Sequence, residues 1–361
     1  MRRPFLSILV ITMVIAGTGA AAARAQDAAE LQARFTAQLD RRRDDLIEVR
    51  RDLHRHPEVS GEEERTAGVV AERLRALGLT VRTGIGGHGV VALLQGARPG
   101  PVVAFRADMD AVHSDAPDPV PFASENPGVR HVCGHDIHTT IGLALAEGLV
   151  AVREQLPGSV MLIFQPAEEN ATGARAMIAD GVFGDVRPAA IFAYHAAPFP
   201  VGQLATAWET LMAGRDRVRV TVTGSGDLES AAEEVRSRIE SVGTISPQQA
   251  AQPMPLDFIF AQVGQPSQSD VGTVSVEAWI TTASFHARAQ ARRQIEGAVA
   301  DVRLDGVTVQ LDYGERWIAG VTNDAELVRQ ATRSASSVAG SEAILMLYRV
   351  YPGVSEDFGF F

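Results

Sequence analysis

The sequence predicts an α/β protein: a layered mixed sheet, interrupted by a smaller inserted α+β unit of ferredoxin-like order. Three observations carry this expectation. Through the first half of the chain, apolar runs of strand length alternate with helix-patterned stretches. From about Asp216 the texture changes to period-two strands and charged helices in the order β-α-β-β-α-β. Acidic and metal-type residues recur just after the apolar runs, where open α/β sheets place their sites.

The chain opens with MRRPFLSILVITMVIAGTGAAAARAQ. Two arginines, an apolar run from about Phe5 to Ile15 and Ala23-Arg24-Ala25 make the layout of a signal peptide cleaved near Ala25. The run is short for a membrane anchor, so an exported protein, periplasmic or secreted, is expected. Removing Arg2, Arg3 and Arg24 leaves 30 basic residues against 44 acidic ones, and the formal charge goes from −11 to −14. That balance argues against nucleic acid or an anionic membrane as partner.

Residues 27–56 are charged and helix-patterned, ending at His56-Pro57-Glu58. EEERTAGVVAERLRAL (62–77) reads as an amphipathic helix with Gly78 just past its end. VVALL (90–94), PVVAFRA (101–107), SVMLIF (159–164) and AAIFAYH (189–195) read as buried strands. Residues 136–152 read as a helix with Ile137, Ile141, Leu145 and Leu149 on one stripe. In the insert, RVRVTVTG, 271–280 and VTVQLDY are strands, and 227–242 and about 284–301 are helices. The tail from about Val321 should return to the first domain. The expected organisation is a signal peptide at 1–25, a catalytic domain at 26–215 plus 318–361, and the insert at 216–317.

The chemistry gathers in HVCGHDIH (131–138), which holds the chain's one cysteine and three of its nine histidines. An exported thiol has no intramolecular partner here, and thiolate and imidazole are both metal ligands. Cys133 and His135 do not share a helix face, so both reach one ion only through a turn, which Gly134 permits. Asp136 then suits the N-cap of the next helix, and a thiol near a helix N-terminus and a cation should ionise readily. QPAEE (165–169) brings Glu168 and Glu169 off a core strand. His195 closes another, and RADMD places Asp108 and Asp110 after a third.

The combination HPE, RADMDA, HVCGHDIH, QPAEE, YHAAP and SEDF resembles the aminoacylase, hippurate-hydrolase and indole-acetyl-amino-acid hydrolase branch of the metallo-amidohydrolases and carboxypeptidases. The resemblance implies hydrolysis of the amide bond of N-acyl amino acids or short peptides, with an insert that serves as lid or dimerisation domain and so a possible homodimer. It implies two divalent ions held by Cys133, His135, Glu169 and His195, with zinc or manganese first and cobalt or nickel possible. Glu168 is then the general base toward a metal-activated water. Asp108, Arg106, Asp136 and His138 are expected to support these ligands, and His131 at most to do the same.

Two departures stand out. Relatives carry a lid histidine expected to bind the oxyanion, whereas this chain reads GSGDLES at 224–230 and QPSQSDVG at 265–272. Losing one oxyanion donor costs about 10²–10³ in rate. The sequence also stops at SEDFGFF, before a further histidine ligand that relatives supply, so a truncated or fragmentary chain is an expectation. Both departures motivate the alternative to an active hydrolase: an impaired homologue that binds metal or ligand without turnover.

Overall fold

The computed structural model describes residues 18–314 and 317–361. Two compact units emerge. One comprises Met1–Ala205, Arg329–Leu345 and Phe361; the other comprises Thr206–Val328 and Met346–Phe360. The second unit therefore starts before the expected junction at 215/216. It also takes in much of the tail that the sequence reading gives to the catalytic domain. Of the expected signal peptide, residues 1–17 lie outside the described residues, and the remainder begins the helix Thr18–Arg55. Among the described residues, no helix is long and apolar enough to cross a membrane.

The first unit is built on five strands in the order Thr80–Ile85, Gly89–Gln95, Pro157–Gln165, Arg98–Asp108, Ala190–Ala193. The first two pairings are antiparallel and the last two parallel, so the sheet is mixed. The register sets Asp108 opposite Gln165 and Arg106 opposite Ala193. Three parallel strands consequently deliver their carboxyl ends, and whatever follows them, to one edge.

Period two decides which side chains go where. Phe105, Ala107, Leu162 and Phe164 join Phe35, Leu53, Leu74 and Leu149 in a core under the helices Thr18–Arg55, Glu64–Ala76 and His135–Val150. Ala104, Met161 and Ile163 face the other way, onto Met177 and Val182. Each buried Leu, Phe, Ile, Val or Met stabilises by about 1.5–3 kcal/mol, so both faces of this sheet favour folding. The expected single stripe on 136–152 needs correction. His135–Val150 is buried on nearly all sides, and Ile137 and Ile141 are among its least buried residues. It is sandwiched between the long N-terminal helix and the sheet. Gly148 permits this, because a Cβ there would lie 2.4 Å from the Phe35 ring.

The helix Glu64–Ala76 is capped from a distance. Glu63 occupies the N-cap position without capping. Instead, the Glu58 carboxylate accepts the amides of Arg65 at 2.9 Å and Thr66 at 2.8 Å. This releases Glu63 for other work.

The second unit has the ferredoxin-like order. Its antiparallel sheet runs Ile259–Val263, Thr273–Thr282, Gly214–Gly224, Val307–Asp312. Helices Leu228–Glu240 and Phe285–Ala300 cover one face through Val218, Val220, Val222, Ile239 and Ile295. In GSGDLES, Asp227 is an N-cap whose carboxylate accepts the Ser230 amide at 3.0 Å.

Candidate metal centre

Asp108 ends its strand fully buried. Its Oδ2 accepts from Arg106 Nη1 at 2.6 Å, and its Oδ1 faces His138 Nδ1 at 2.5 Å. Arg106 is buried too and donates through Nε to Gln165 Oε1 at 2.8 Å. Burial by itself would raise the Asp108 carboxyl. The Arg106 guanidinium and the His135 and His138 rings outweigh it and hold the group well below the usual carboxylate range.

HVCGHDIH turns where the sequence reading places the turn. Gly134 adopts φ 86° and ψ 22°, and the helix begins at His135. Gly134, not Asp136, is the N-cap residue, so that expectation is corrected. Asp136 sits inside the first turn, buried, with Oδ2 at 2.8 Å from both His54 Nδ1 and Arg50 Nε. It braces the long N-terminal helix against this one. His138 has both nitrogens engaged: Nδ1 faces Asp108, and Nε2 accepts the Ala196 amide at 2.7 Å. Burial lowers its pKa, in keeping with a neutral ring that supports its neighbours. His131 is buried with neither nitrogen hydrogen-bonded, and burial lowers it to about 4.

The loop after Gln165 carries the two glutamates through unusual backbone. Ala167 and Ala171 have φ of 53° and 56°, a left-handed conformation that disfavours a side chain. The Ala167 carbonyl accepts the amides of Thr172 and Gly173. Gly173 is required there, because a Cβ would lie 1.6 Å from the Pro166 carbonyl oxygen. Glu168 is thereby buried, whereas Glu169 is more open.

Donor atoms of Cys133, His135 and Glu169 lie within 4.8 Å of one another, and so do those of Asp108, His135, His138 and His195. The four expected ligands thus fall into two groups that share His135. His195 Nδ1 donates to the Ala196 carbonyl at 2.6 Å, which leaves its Nε2 as the lone-pair nitrogen.

His135 supplies the test of whether a cation fits. Its Nδ1 lies 3.1 Å from Asp110 Oδ1, while its Nε2 is buried without a hydrogen bond. Around that orphan stand Asp108 Oδ2 at 3.7 Å, Glu168 Oε2 at 3.8 Å and Glu169 Oε1 at 3.8 Å. Donors about 2.0–2.3 Å from one ion are spaced by comparable amounts. Burial should lower His135, yet Asp108, Asp110 and Glu169 push it up to about 9, so these acids favour positive charge at their centre. A divalent cation suits both the spacing and the charge.

Without a cation, the Cys133 thiol does not ionise readily. Burial raises the Cys133 pKa, and the hydrogen bond with Glu169 and the charges of Glu168 and Asp108 raise it further. These outweigh the helix N-terminus, so a bound cation must supply the driving force for thiolate.

Comparison with known proteins agrees with this geometry. Residues 104–361 match the model of peptidase family M20/M25/M40. The chain belongs to this family. The family is one of hydrolases, and its named relatives support a metal-dependent amidohydrolase acting on C–N bonds. A Synechocystis protein described as "Probable hydrolase sll0100" is 36% identical over 328 residues, covering 88% of this chain and 82% of that relative. The N-acetyldiaminopimelate deacetylase of Streptococcus pneumoniae (strain 70585) is 39% identical over 186 residues, about half of each chain. Among solved structures, the Bacillus subtilis YXEP protein, a dinuclear metal binding peptidase from the M20 family, is 30% identical. It superposes with a TM-score of 0.68 over 90% of this chain and 85% of that one.

Three participants have no role assigned in the sequence reading. Asp110 accepts Ser60 Oγ at 2.6 Å and the Glu169 amide at 2.9 Å while facing His135. Its spacing from Asp108 was a usable signal. Gln165 had no signal beyond its place before Pro166. Glu63 had none, because Glu62-Glu63-Glu64 reads as the solvated start of a helix.

Proposed function

We propose that this enzyme hydrolyses the amide bond of N-acyl amino acids or short peptides, with Glu168 as general base. The single observation behind the reading is the buried Glu168 carboxylate 3.8 Å from His135 Nε2, beside the Cys133–His135–Glu169 donor group. Cys133, His135, Glu169 and His195 would hold two divalent cations, with zinc favoured by thiolate and imidazole and manganese next. Bound, such ions polarise the scissile carbonyl and acidify the attacking water. Glu168 accepts the water's proton and returns it to the departing nitrogen. Its burial keeps bulk water from competing for that proton. Arg106, Asp108, Asp110 and His138 hold the donors in place. The deacetylase relative favours an N-acyl amino acid over a long peptide. The amino-terminal Arg-Arg and apolar run support export, and the ferredoxin-like unit would serve as lid or homodimer contact.

A second reading, metal binding without turnover, is favoured by the segment GSGDLES (224–230), which holds no histidine and whose Asp227 caps a helix. Metal analysis and a panel of N-acyl amino acids separate the two. The hydrolase reading expects bound metal, release of free amino acid, and turnover abolished in Glu168→Gln with metal retained. Bound metal with no turnover across the panel overturns it. Metal loss in Cys133→Ala tests the ligand set separately.

A further inference from the structure

We propose that Glu63 is a positioning residue that sets the aim of Glu168 by holding the amide of Ala167. This inference rests on reading Glu168 as the base. Glu63 is fully buried, and its Oε1 accepts two amides, Gly61 at 2.9 Å and Ala167 at 2.7 Å. The second bond spans 104 residues in sequence and ties the N-cap of one helix to the loop beside the site. It reaches the residue immediately before Glu168, a non-glycine whose backbone is left-handed at φ 53°.

That conformation does not maintain itself, because a Cβ in the left-handed region is strained and the surroundings must over-determine it. Ala167 is pinned on both polar groups: its carbonyl receives Thr172 and Gly173, and its amide enters the Glu63 carboxylate. On the other side of Glu168, the Glu169 amide enters Asp110. Two buried carboxylates therefore grip the amides flanking the base, and the side chain between them has its Cα direction fixed. Glu63 is available for this only because Glu58 has taken over the helix cap.

Substitutions at Glu63 separate this role from a charge effect and from simple stability. Glu63→Gln keeps an oxygen acceptor at the same reach, Glu63→Asp keeps the charge but withdraws it by one methylene, and Glu63→Ala removes both. Each purified metal-loaded variant is compared for kcat, KM, bound metal and hydrogen exchange of the 165–172 segment. In Glu63→Ala and Glu63→Asp, kcat is expected to fall about 10- to 100-fold, the scale of an ångström-sized misplacement. KM should stay within about twofold, metal content unchanged, and exchange at 165–172 faster. Glu63→Gln should retain most of kcat and of the protection. Glu63→Gln falling as far as Glu63→Ala overturns the inference, and so does Glu63→Asp matching the parent. Should Glu63→Ala not fold, the Gln and Asp pair decides alone. Glu168→Gln is the control: if it stays active, the base reading has failed, and exchange at 165–172 then decides whether Glu63 holds the loop.

Discussion

Replacing Arg106 with methionine tests whether the sheet edge is held by a buried charge pair. Arg106 and Asp108 have side chains only 1% and 0% exposed, with 2.6 Å between Nη1 and Oδ2. Methionine fills much of the same space but leaves Asp108 without its cation and Gln165 Oε1 without its donor. Removing one partner of a buried pair costs about 3–5 kcal/mol, and the lost charge-assisted hydrogen bond to Gln165 adds about 1.5–3 kcal/mol. His138 still faces Oδ1, so the expected total is at the lower end, about 4–5 kcal/mol.

The sign with pH follows from the charges. The depressed Asp108 pKa contributes stability above the unfolded value of 3.8, lost as pH falls through the folded value. Without Arg106 that depression shrinks, so the penalty is largest near neutrality and narrows on acidification. Urea unfolding of chelator-treated protein measures it. Far-UV circular dichroism is the probe, because the three tryptophans, at 208, 279 and 317, all belong to the second unit. A loss under about 1 kcal/mol, or a gain, would refute the claim that this pair is desolvated and mutually dependent.

Three further outcomes follow from the loop, the thiol and the helix brace. Gly173→Ala puts a Cβ against the Pro166 carbonyl, which cannot move without carrying Glu168 along. Stability should fall by about 1–3 kcal/mol and hydrolysis by at least about tenfold; wild-type turnover would show the contact is relieved elsewhere. In chelator-treated protein, Cys133 should alkylate more slowly than a free thiol at mildly alkaline pH, and Glu169→Gln should speed it. Alkylation as fast as a model thiol would contradict a protonated, half-buried sulfur. The pair of His54 and Asp136 has a defined pH window. The hydrogen bond to Asp136 raises His54 above 6.5, so its contribution is full below that value and fades as pH rises through the raised one. Burial would raise Asp136, but the bond to His54 leaves it below 3.8, so its share is present above that value and lost in acid. Asp136→Asn should therefore cost most stability between these limits and less at about pH 9, with a remainder from Arg50. Equal urea-midpoint shifts at about pH 5.5 and about pH 9 would rule the window out.

Much of the candidate site was legible because its residues sit where the pattern changes. Cys133 and His135 flank a glycine at a helix start, and Glu168, Glu169 and His195 follow core strands. What stayed hidden was every role created by a partner distant in sequence. Asp136 looked like a cap until His54 and Arg50 came within 2.8 Å. The local sequence marked the Cys133 thiol as one that ionises beside a cation, but not that acids from two other places in the chain hold its proton without one. Nor could HVCGHDIH show that His138 spends both nitrogens on Asp108 and Ala196.

By itself the sequence determined the alternation of strands and helices, the ferredoxin-like order of the second unit and the donor types at the sheet edge, because these depend on periodicity and side-chain chemistry. Only the tertiary structure decided which carboxylates face His135, which keep a neighbouring amide in place and which merely brace helices. Protonation and hydrogen-bond partners depend on burial and on distances of a few ångströms between segments as much as 117 residues apart, and no local pattern encodes those.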